Sequence, residues 1–382
     1  MQISNFDPAT FLRDHWQRKP LLVRGAFPAW HNPLDPDELA GLACEDGVEA
    51  RIVTRRGALW SLERGPFAED RFASDSRDPW TLLVQAVDHY VADVAAMVQP
   101  FRFVPDWRID DVMVSYASDG GGVGPHFDRY DVFLVQGLGR RRWRLGGHCD
   151  ATSPLLPHDD LCLLAGFEAE QEYLLEPGDM LYVPPGLAHD GVAVGDDCMT
   201  YSIGFRAPAR SELVAHWCDH VLEGIAADDL YTDPALQPQA HPGEIDPAAL
   251  ARLQEMVTRE LAEPGAFARW FGTYTSTPKY PDTDWRPEEP AGPEMIRHLL
   301  EQGSTLARNP ASRMAFVRVA DGVTLFADGS SFDCPGDLAP LAQAICAGPV
   351  VDVPALLMRD KDALALLSTL HDMGVLAFED ED

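Results

Sequence analysis

The chain has 382 residues, 46% hydrophobic and 24% charged, which suits a globular protein long enough for two domains or one large domain with an appendage. Lys and Arg number 30 against 61 Asp and Glu, a formal net charge of −31. Such a surface repels phosphate backbones and anionic lipid, so nucleic acid and membrane are excluded as expected partners, and a basic protein or peptide is favoured if the acidity does more than confer solubility.

Residues 1–100 mix short helical and extended patterns and read as an N-terminal lead-in to the β-rich segment after them. Phe11 to Trp16 predicts a helix, Pro20 to Arg24 a strand, and Trp80 to Val98 a longer amphipathic helix. The start lacks the basic and apolar regions of a signal peptide, and no run of about 18 apolar residues occurs. Seven cysteines stand singly, without Cys-x-x-Cys or zinc spacing, and read as reduced thiols. A soluble, cytoplasmic protein is the expectation.

Over residues 101–208 the punctuation changes to short apolar runs broken by Gly, Pro and Asp. Among these runs are Val112–Tyr116, Val132–Gln136, Arg142–Leu145, Gln171–Leu175, Met180–Val183 and Met199–Phe205. Short strands so closely spaced predict a β-sandwich or barrel. Residues 209–280 turn helical, with one periodic stretch from Ser211 to Ile225 and another beginning at Asp246-Pro247, an N-cap followed by proline. The Pro- and Thr-rich segment 275–290 predicts a boundary. Residues 290–382 then offer a helix over Pro293–Gln302, two turn-linked strands (Met314–Val319 and Val323–Phe326) and further helices, the order of a winged-helix module. From residue 286 onward there are 7 basic and 16 acidic side chains, the wrong sign for groove binding, so this module reads as a protein-interaction or assembly element.

The chemistry concentrates in the β-rich segment. His126-Phe-Asp128 comes directly after Gly120-Gly-Gly-Val-Gly-Pro125, and in a strand residues i and i+2 share a face, so both side chains can reach one ion. His189 lies behind Pro177-Gly-Asp-Met-Leu-Tyr-Val-Pro-Pro-Gly186, whose turn can present it at a barrel mouth. Two imidazoles and one carboxylate form the facial set expected of a non-haem Fe(II) oxygenase. His158-Asp-Asp160 repeats the spacing without a strand to orient it, and His216 and His220 have the spacing of a zinc helix but no glutamate after the first histidine; both pairs read as structural. The Gly120–Gly122 run reads as a flexible lip over the site or a tight turn. Such an iron can draw electrons from a 2-oxo acid whose far carboxylate needs a cation. The strand opening Arg140-Arg-Arg-Trp143 supplies one by turning alternate members inward.

Phe11 to Gly25, Gly120 to Phe133, Gln136 to Trp143, Tyr182 to His189 and Tyr201 to Pro208 together resemble the bacterial ribosomal oxygenases of the Jumonji C cupin class, and among these the hydroxylases of an arginine in a 50S ribosomal protein. The resemblance covers nearly the whole chain. It implies an α+β protein: a double-stranded β-helix (jelly-roll or cupin) core, an N-terminal α/β lead-in, a helical dimerisation segment and a C-terminal winged-helix-like domain. It implies Fe(II) on His126, Asp128 and His189, with 2-oxoglutarate and O2 as co-substrates, Arg141 on the distal carboxylate and Ser115 beside it. Tyr116, Asp119 and Asp190 flank the metal motifs and are the candidates for the substrate, a basic protein of the large ribosomal subunit. The implied enzyme is a homodimer that hydroxylates an unactivated side-chain carbon. The metal does not choose that carbon, so a related oxygenase acting on histidine or lysine stays open, as does a cupin scaffold without turnover.

Overall fold

In the computed structural model, residues 2–72 and 78–378 are described, and their contacts separate two compact units, 1–207 and 208–382. The first unit carries α1 (Pro8–Asp14), β1 (Leu21–Val23), α2 (Pro36–Leu42), β2 (Ala50–Arg56), β3 (Leu59–Arg64), β4 (Trp80–Val84) and α3 (Ala92–Ala96). Then come β5 (Ile109–Ala117), β6 (Val132–Leu138), β7 (Arg141–His148), β8 (Gln171–Leu175), β9 (Met180–Val183), β10 (Leu187–Ala193) and β11 (Cys198–Phe205). The strands form an eight-stranded sheet in the order β1-β9-β6-β11-β5-β4-β2-β3 and a three-stranded sheet β10-β7-β8, all antiparallel.

Side chains alternate across each strand, so the large sheet has two different faces. One face packs Val112, Val114, Phe133, Val135, Met180, Tyr182, Tyr201, Ile203 and Phe205 under the N-terminal elements. Phe133, with no exposed surface, lies at its centre, within 4.8–6.4 Å (ring centroids) of Phe6, Phe11, Phe101, Phe103, Tyr182 and Phe205. The other face meets the small sheet through Val132, Leu134, Leu181 and Val183 against Trp143, Leu145 and Leu175. The lead-in is therefore continuous with the barrel, because β1 pairs with β9 and β4 with β5.

The helix expected from Trp80 to Val98 is not formed. Trp80-Thr-Leu-Leu-Val84 is instead a strand held between β2 and β5, and only Ala92–Ala96 is α-helical. Its aromatic and β-branched residues suit a pleated surface, and two flanking strands supply the hydrogen bonds a helix would have made internally.

The second unit contains α4 (Arg210–Gly224), α5 (Pro247–Leu261), α6 (Pro264–Ser276), α7 (Pro293–Gln302), β12 (Leu306–Arg308), β13 (Met314–Val319), β14 (Gly322–Ala327), β15 (Ser330–Pro335), α8 (Ala339–Ala347), α9 (Lys361–Asp372) and β16 (Leu376–Phe378). Asp246 caps α5 through the Ala248 N–H, as its position before proline predicts. The segment 275–290 does not divide compact units. The reason is α6: Gly272 lies so close to Phe326 of β14 that a Cβ there would stand 2.3 Å from the ring, and Arg269 bonds Ser331 and Asp333 of β15. The strand β15 escapes the sequence pattern because Ser-Ser-Phe-Asp-Cys-Pro is mostly polar and half exposed. Among the described residues no helix is long and apolar enough to cross a membrane.

Candidate metal centre

His126, Asp128 and His189 converge, each offering a ligand atom with all three atoms within 4.8 Å of one another. Among the described residues no other group of histidine, cysteine and carboxylate side chains does so. The backbone that presents them is not the regular strand the His-x-Asp spacing predicts. His126 and His189 form an isolated bridge, each N–H donating to the other's carbonyl at 3.0 and 2.8 Å. The Asp128 carbonyl accepts from the Gly186 N–H at 2.7 Å, and the Gly186 carbonyl accepts from the Cys149 N–H at 2.7 Å. Gly186 adopts φ +78°, and a Cβ there would stand 2.6 Å from the His148 ring, so the Pro-Pro-Gly turn requires glycine. This turn positions the carboxylate as well as the histidine.

The tautomers follow from the partners. His126 Nδ1 lies 2.8 Å from the Gly124 carbonyl and His189 Nδ1 3.0 Å from the Leu187 carbonyl. A carbonyl only accepts, so each Nδ1 carries a proton, and in the neutral ring Nε2 keeps its lone pair for an ion. Burial, and then the adjacent His126, push the His189 pKa down to about 4, so that ring is neutral at physiological pH. Its Nε2 stands 3.5 Å from Asp128 Oδ2. Two imidazoles and a carboxylate are the donor set that suits a divalent first-row metal with positions left open.

Beside the triad, between the sheets, Arg141 is 3% exposed and faces inward from β7, whereas Arg140 is exposed and Arg142 pairs with Glu172 on the outer face. Among the described residues Arg141 has no carboxylate partner. Its only hydrogen bond there is to Ser115 Oγ at 3.5 Å, and its Nε is buried without an acceptor. A guanidinium left that way costs several kcal/mol unless an anion joins it, so the pocket fits a carboxylate-bearing ligand. Trp143 completes this wall, 5.9 Å from His189 and 5.8 Å from the Arg141 guanidinium.

The three substrate candidates separate. Tyr116 alternates to the face opposite Ser115, packs 5.7 Å from Trp80 and donates its hydroxyl to Asp197 at 2.8 Å; burial and then Asp197 push its pKa up to about 12. Asp190 alternates away from His189 and is buried against Arg144, outside the space between the sheets. Pleat alternation thus turns both away from the metal side. Asp119 is exposed, with one carboxylate oxygen accepting from the Gly195 N–H at 2.7 Å.

The glycine run is not a flexible lip. Cβ atoms at Gly121 and Gly122 would stand 2.3 and 2.4 Å from the Trp80 and Gly191 carbonyl oxygens, so the run is wedged between β4 and β10. His158 closes its own loop, its Nδ1 accepting from the Asp160 and Leu161 N–H groups at 3.0 Å, and His220 stacks on Trp217, so neither belongs to a metal cluster. Gln136 opens the segment Gln136 to Trp143 but is given no role by the sequence, and it is fully buried on β6 facing this pocket. A single amide ending the apolar run Val132–Gln136 is a further signal of it in the sequence.

Comparison with known proteins gives the family. Residues 96–213 match the JmjC domain and residues 258–377 a ROXA-like winged helix. The chain is 40% identical over 375 residues, 97% of its own length and 97% of the relative's, to the ribosomal protein uL16 3-hydroxylase of Escherichia coli K12. It superposes on the X-ray structure of E. coli ycfD with a TM-score of 0.88, at 37% identity, covering 99% of this chain and all of that one. The E. coli ribosomal oxygenase YcfD in complex with cobalt and 2-oxoglutarate gives a TM-score of 0.86 at 37% identity, covering 99% of each chain.

Proposed function

Because the chain belongs to the ribosomal oxygenases and joins a JmjC domain to a ROXA-like winged helix, we propose that it is an Fe(II)- and 2-oxoglutarate-dependent enzyme that hydroxylates an arginine side chain of the large-subunit ribosomal protein uL16. One observation carries the co-substrate: a buried guanidinium, Arg141, with no carboxylate partner among the described residues, beside two histidines whose Nδ1 atoms face backbone carbonyls. Bound iron supplies O2 activation coupled to oxidative decarboxylation of the 2-oxo acid.

The protein's share is orientation. His126, Asp128 and His189 would hold the metal. Arg141, steadied by Ser115, would take the distal carboxylate of 2-oxoglutarate and so orient the co-substrate. Trp143 and the apolar layer beneath it keep bulk water from the reacting centre. For the substrate, Asp119 is the candidate guanidinium partner: it is exposed, and its second carboxylate oxygen has no partner among the described residues. The charge of −31 favours approach of a basic protein of the cytoplasmic ribosome and disfavours nucleic acid. Homodimer formation through the helical segment is supported by Leu250, Leu253 and Val257, an exposed apolar row at helical spacing on α5.

The test is incubation with Fe(II), 2-oxoglutarate, air and purified uL16. The expected product is uL16 heavier by one oxygen atom on an arginine, with matched succinate release. Succinate formation that uL16 does not stimulate, with uL16 unmodified, would sink the reading.

A further inference from the structure

We propose that Trp143 is a second anion-binding donor of the co-substrate pocket: its indole N–H takes one oxygen of the distal carboxylate while the Arg141 guanidinium takes the other. The inference rests on the reading of this pocket as the 2-oxoglutarate site.

Arg141 and Trp143 stand two residues apart on β7 and share its inner face, both buried. The indole centroid lies 5.8 Å from the guanidinium carbon of Arg141 and 5.9 Å from the His189 ring, within reach of both the cation and a metal ligand. Its orientation is fixed by a glycine. Gly191 on β10 is the register partner of Trp143, and a Cβ there would stand 2.6 Å from the indole Cη2 and Cζ3 and 2.9 Å from Cε3. The benzene edge of the ring is therefore packed against the Gly191 backbone, and Nε1, which belongs to the opposite edge, points away from that strand. The buried cluster that holds the ring is otherwise aliphatic, Val132, Leu134, Leu145, Leu175, Leu181 and Val183, and offers no side-chain lone pair. Trp143 Nε1 is buried without an acceptor among the described residues, and so is Arg141 Nε.

Two unpaired donors on one wall, one charged and one neutral, suit an acceptor that has two oxygens and a negative charge. The distal carboxylate of a 2-oxo dicarboxylic acid is such a group, and a methyl in its place satisfies neither donor. The indole N–H thus adds discrimination for a dicarboxylate over a 2-oxo acid with an alkyl tail. It also fixes the rotation of the carboxylate about its own axis, which a contact with the guanidinium alone leaves free.

The test uses the full chain loaded with Mn(II) under nitrogen and two ligands, 2-oxoglutarate and 2-oxovalerate, which carries a methyl group where the distal carboxylate stands. Binding of each is read from the water-proton relaxation of Mn(II), and the affinity for Mn(II) itself is measured separately. Trp143→Phe keeps an aromatic ring and removes the donor. It is expected to weaken 2-oxoglutarate roughly ten- to a hundredfold, the range of one hydrogen bond to a charged group, and 2-oxovalerate no more than about threefold, with Mn(II) affinity within about twofold of wild type. Replacement of Trp143 by 3-benzothienylalanine, which puts sulfur where the N–H stood and keeps the shape of the ring, should give the same selective loss, and it decides the question if Trp143→Phe does not fold. Equal weakening of both ligands would show that the ring acts by packing alone, and an unchanged 2-oxoglutarate Kd would show that the ligand does not take the proton; either result overturns the donor role. Arg141→Ala serves as the control for the pocket. Weakened 2-oxoglutarate binding in Arg141→Ala with no discrimination in the Trp143 variants overturns the donor role alone, whereas unchanged binding in Arg141→Ala overturns the pocket assignment and this inference with it.

Discussion

The two faces of the eight-stranded sheet are built from the same strands and do opposite work. On the face covered by the N-terminal elements, aromatic and aliphatic side chains interlock, and the buried acid Asp131 has partners: Tyr182 donates to it at 2.5 Å and Gln17 at 3.0 Å. On the face turned to the small sheet, the apolar layer gives way to Ser115, Thr200, Gln136 and, across the gap, Arg141, Trp143 and His189. There Arg141 Nε and Trp143 Nε1 are buried without acceptors. A fold tolerates such orphans only where something else supplies the missing partner, so stability is concentrated on one face and ligand chemistry on the other.

That division can be broken by experiment. The largest effect is expected from His189→Ala, which removes one of three ligands; metal affinity should fall by at least about 100-fold, with turnover lost and the Tm of the metal-free protein not lowered. A large loss of Tm would show that the inner face also carries stability. On the outer face, Phe133→Ala should cost about 3–5 kcal/mol in denaturant unfolding while leaving the KM for 2-oxoglutarate unchanged in the protein that remains folded. Arg141→Leu should cost about 2–5 kcal/mol in 2-oxoglutarate affinity, measured by calorimetry, and leave stability unchanged or raised, because an unpaired buried charge is replaced by an apolar side chain. Mn(II) at about a hundred times its Kd should stabilise the protein by about 2.7 kcal/mol, an increment absent from His189→Ala. The smallest effect belongs to Tyr116→Phe. Its hydroxyl bonds Asp197 on the outer face, so the change should cost about 1 kcal/mol of stability and leave the KM for the protein substrate where it was.

The gap between sequence and structure runs along the same division. The strand runs of the barrel are legible because short apolar runs bounded by turn residues are a local signal; Gln171–Leu175 and Met180–Val183 coincide with β8 and β9. Trp80–Val84 reads as helix because its apolar residues satisfy a helical period as well as a strand's, and only the pairing with β2 and β5 decides between them. Tyr116 and Asp190 are drawn to the site by their nearness in sequence to its motifs. A pleated strand sends neighbours to opposite faces, so the residue next to a ligand is the one least able to join it.

By itself, the sequence singled out three residues that converge in the structure, since a metal needs particular donor atoms at particular spacings and those are written in His126, Asp128 and His189. It also determined the acidity, a net charge of −31. Tertiary structure alone decided that Gly186 holds the Asp128 backbone, that Arg141 has no carboxylate partner among the described residues, and that Gln136 accepts from Thr200. The reason is physical: a hydrogen bond between strands distant in the chain leaves no local pattern, and an unpaired charge is recognised only once every possible partner has been placed around it.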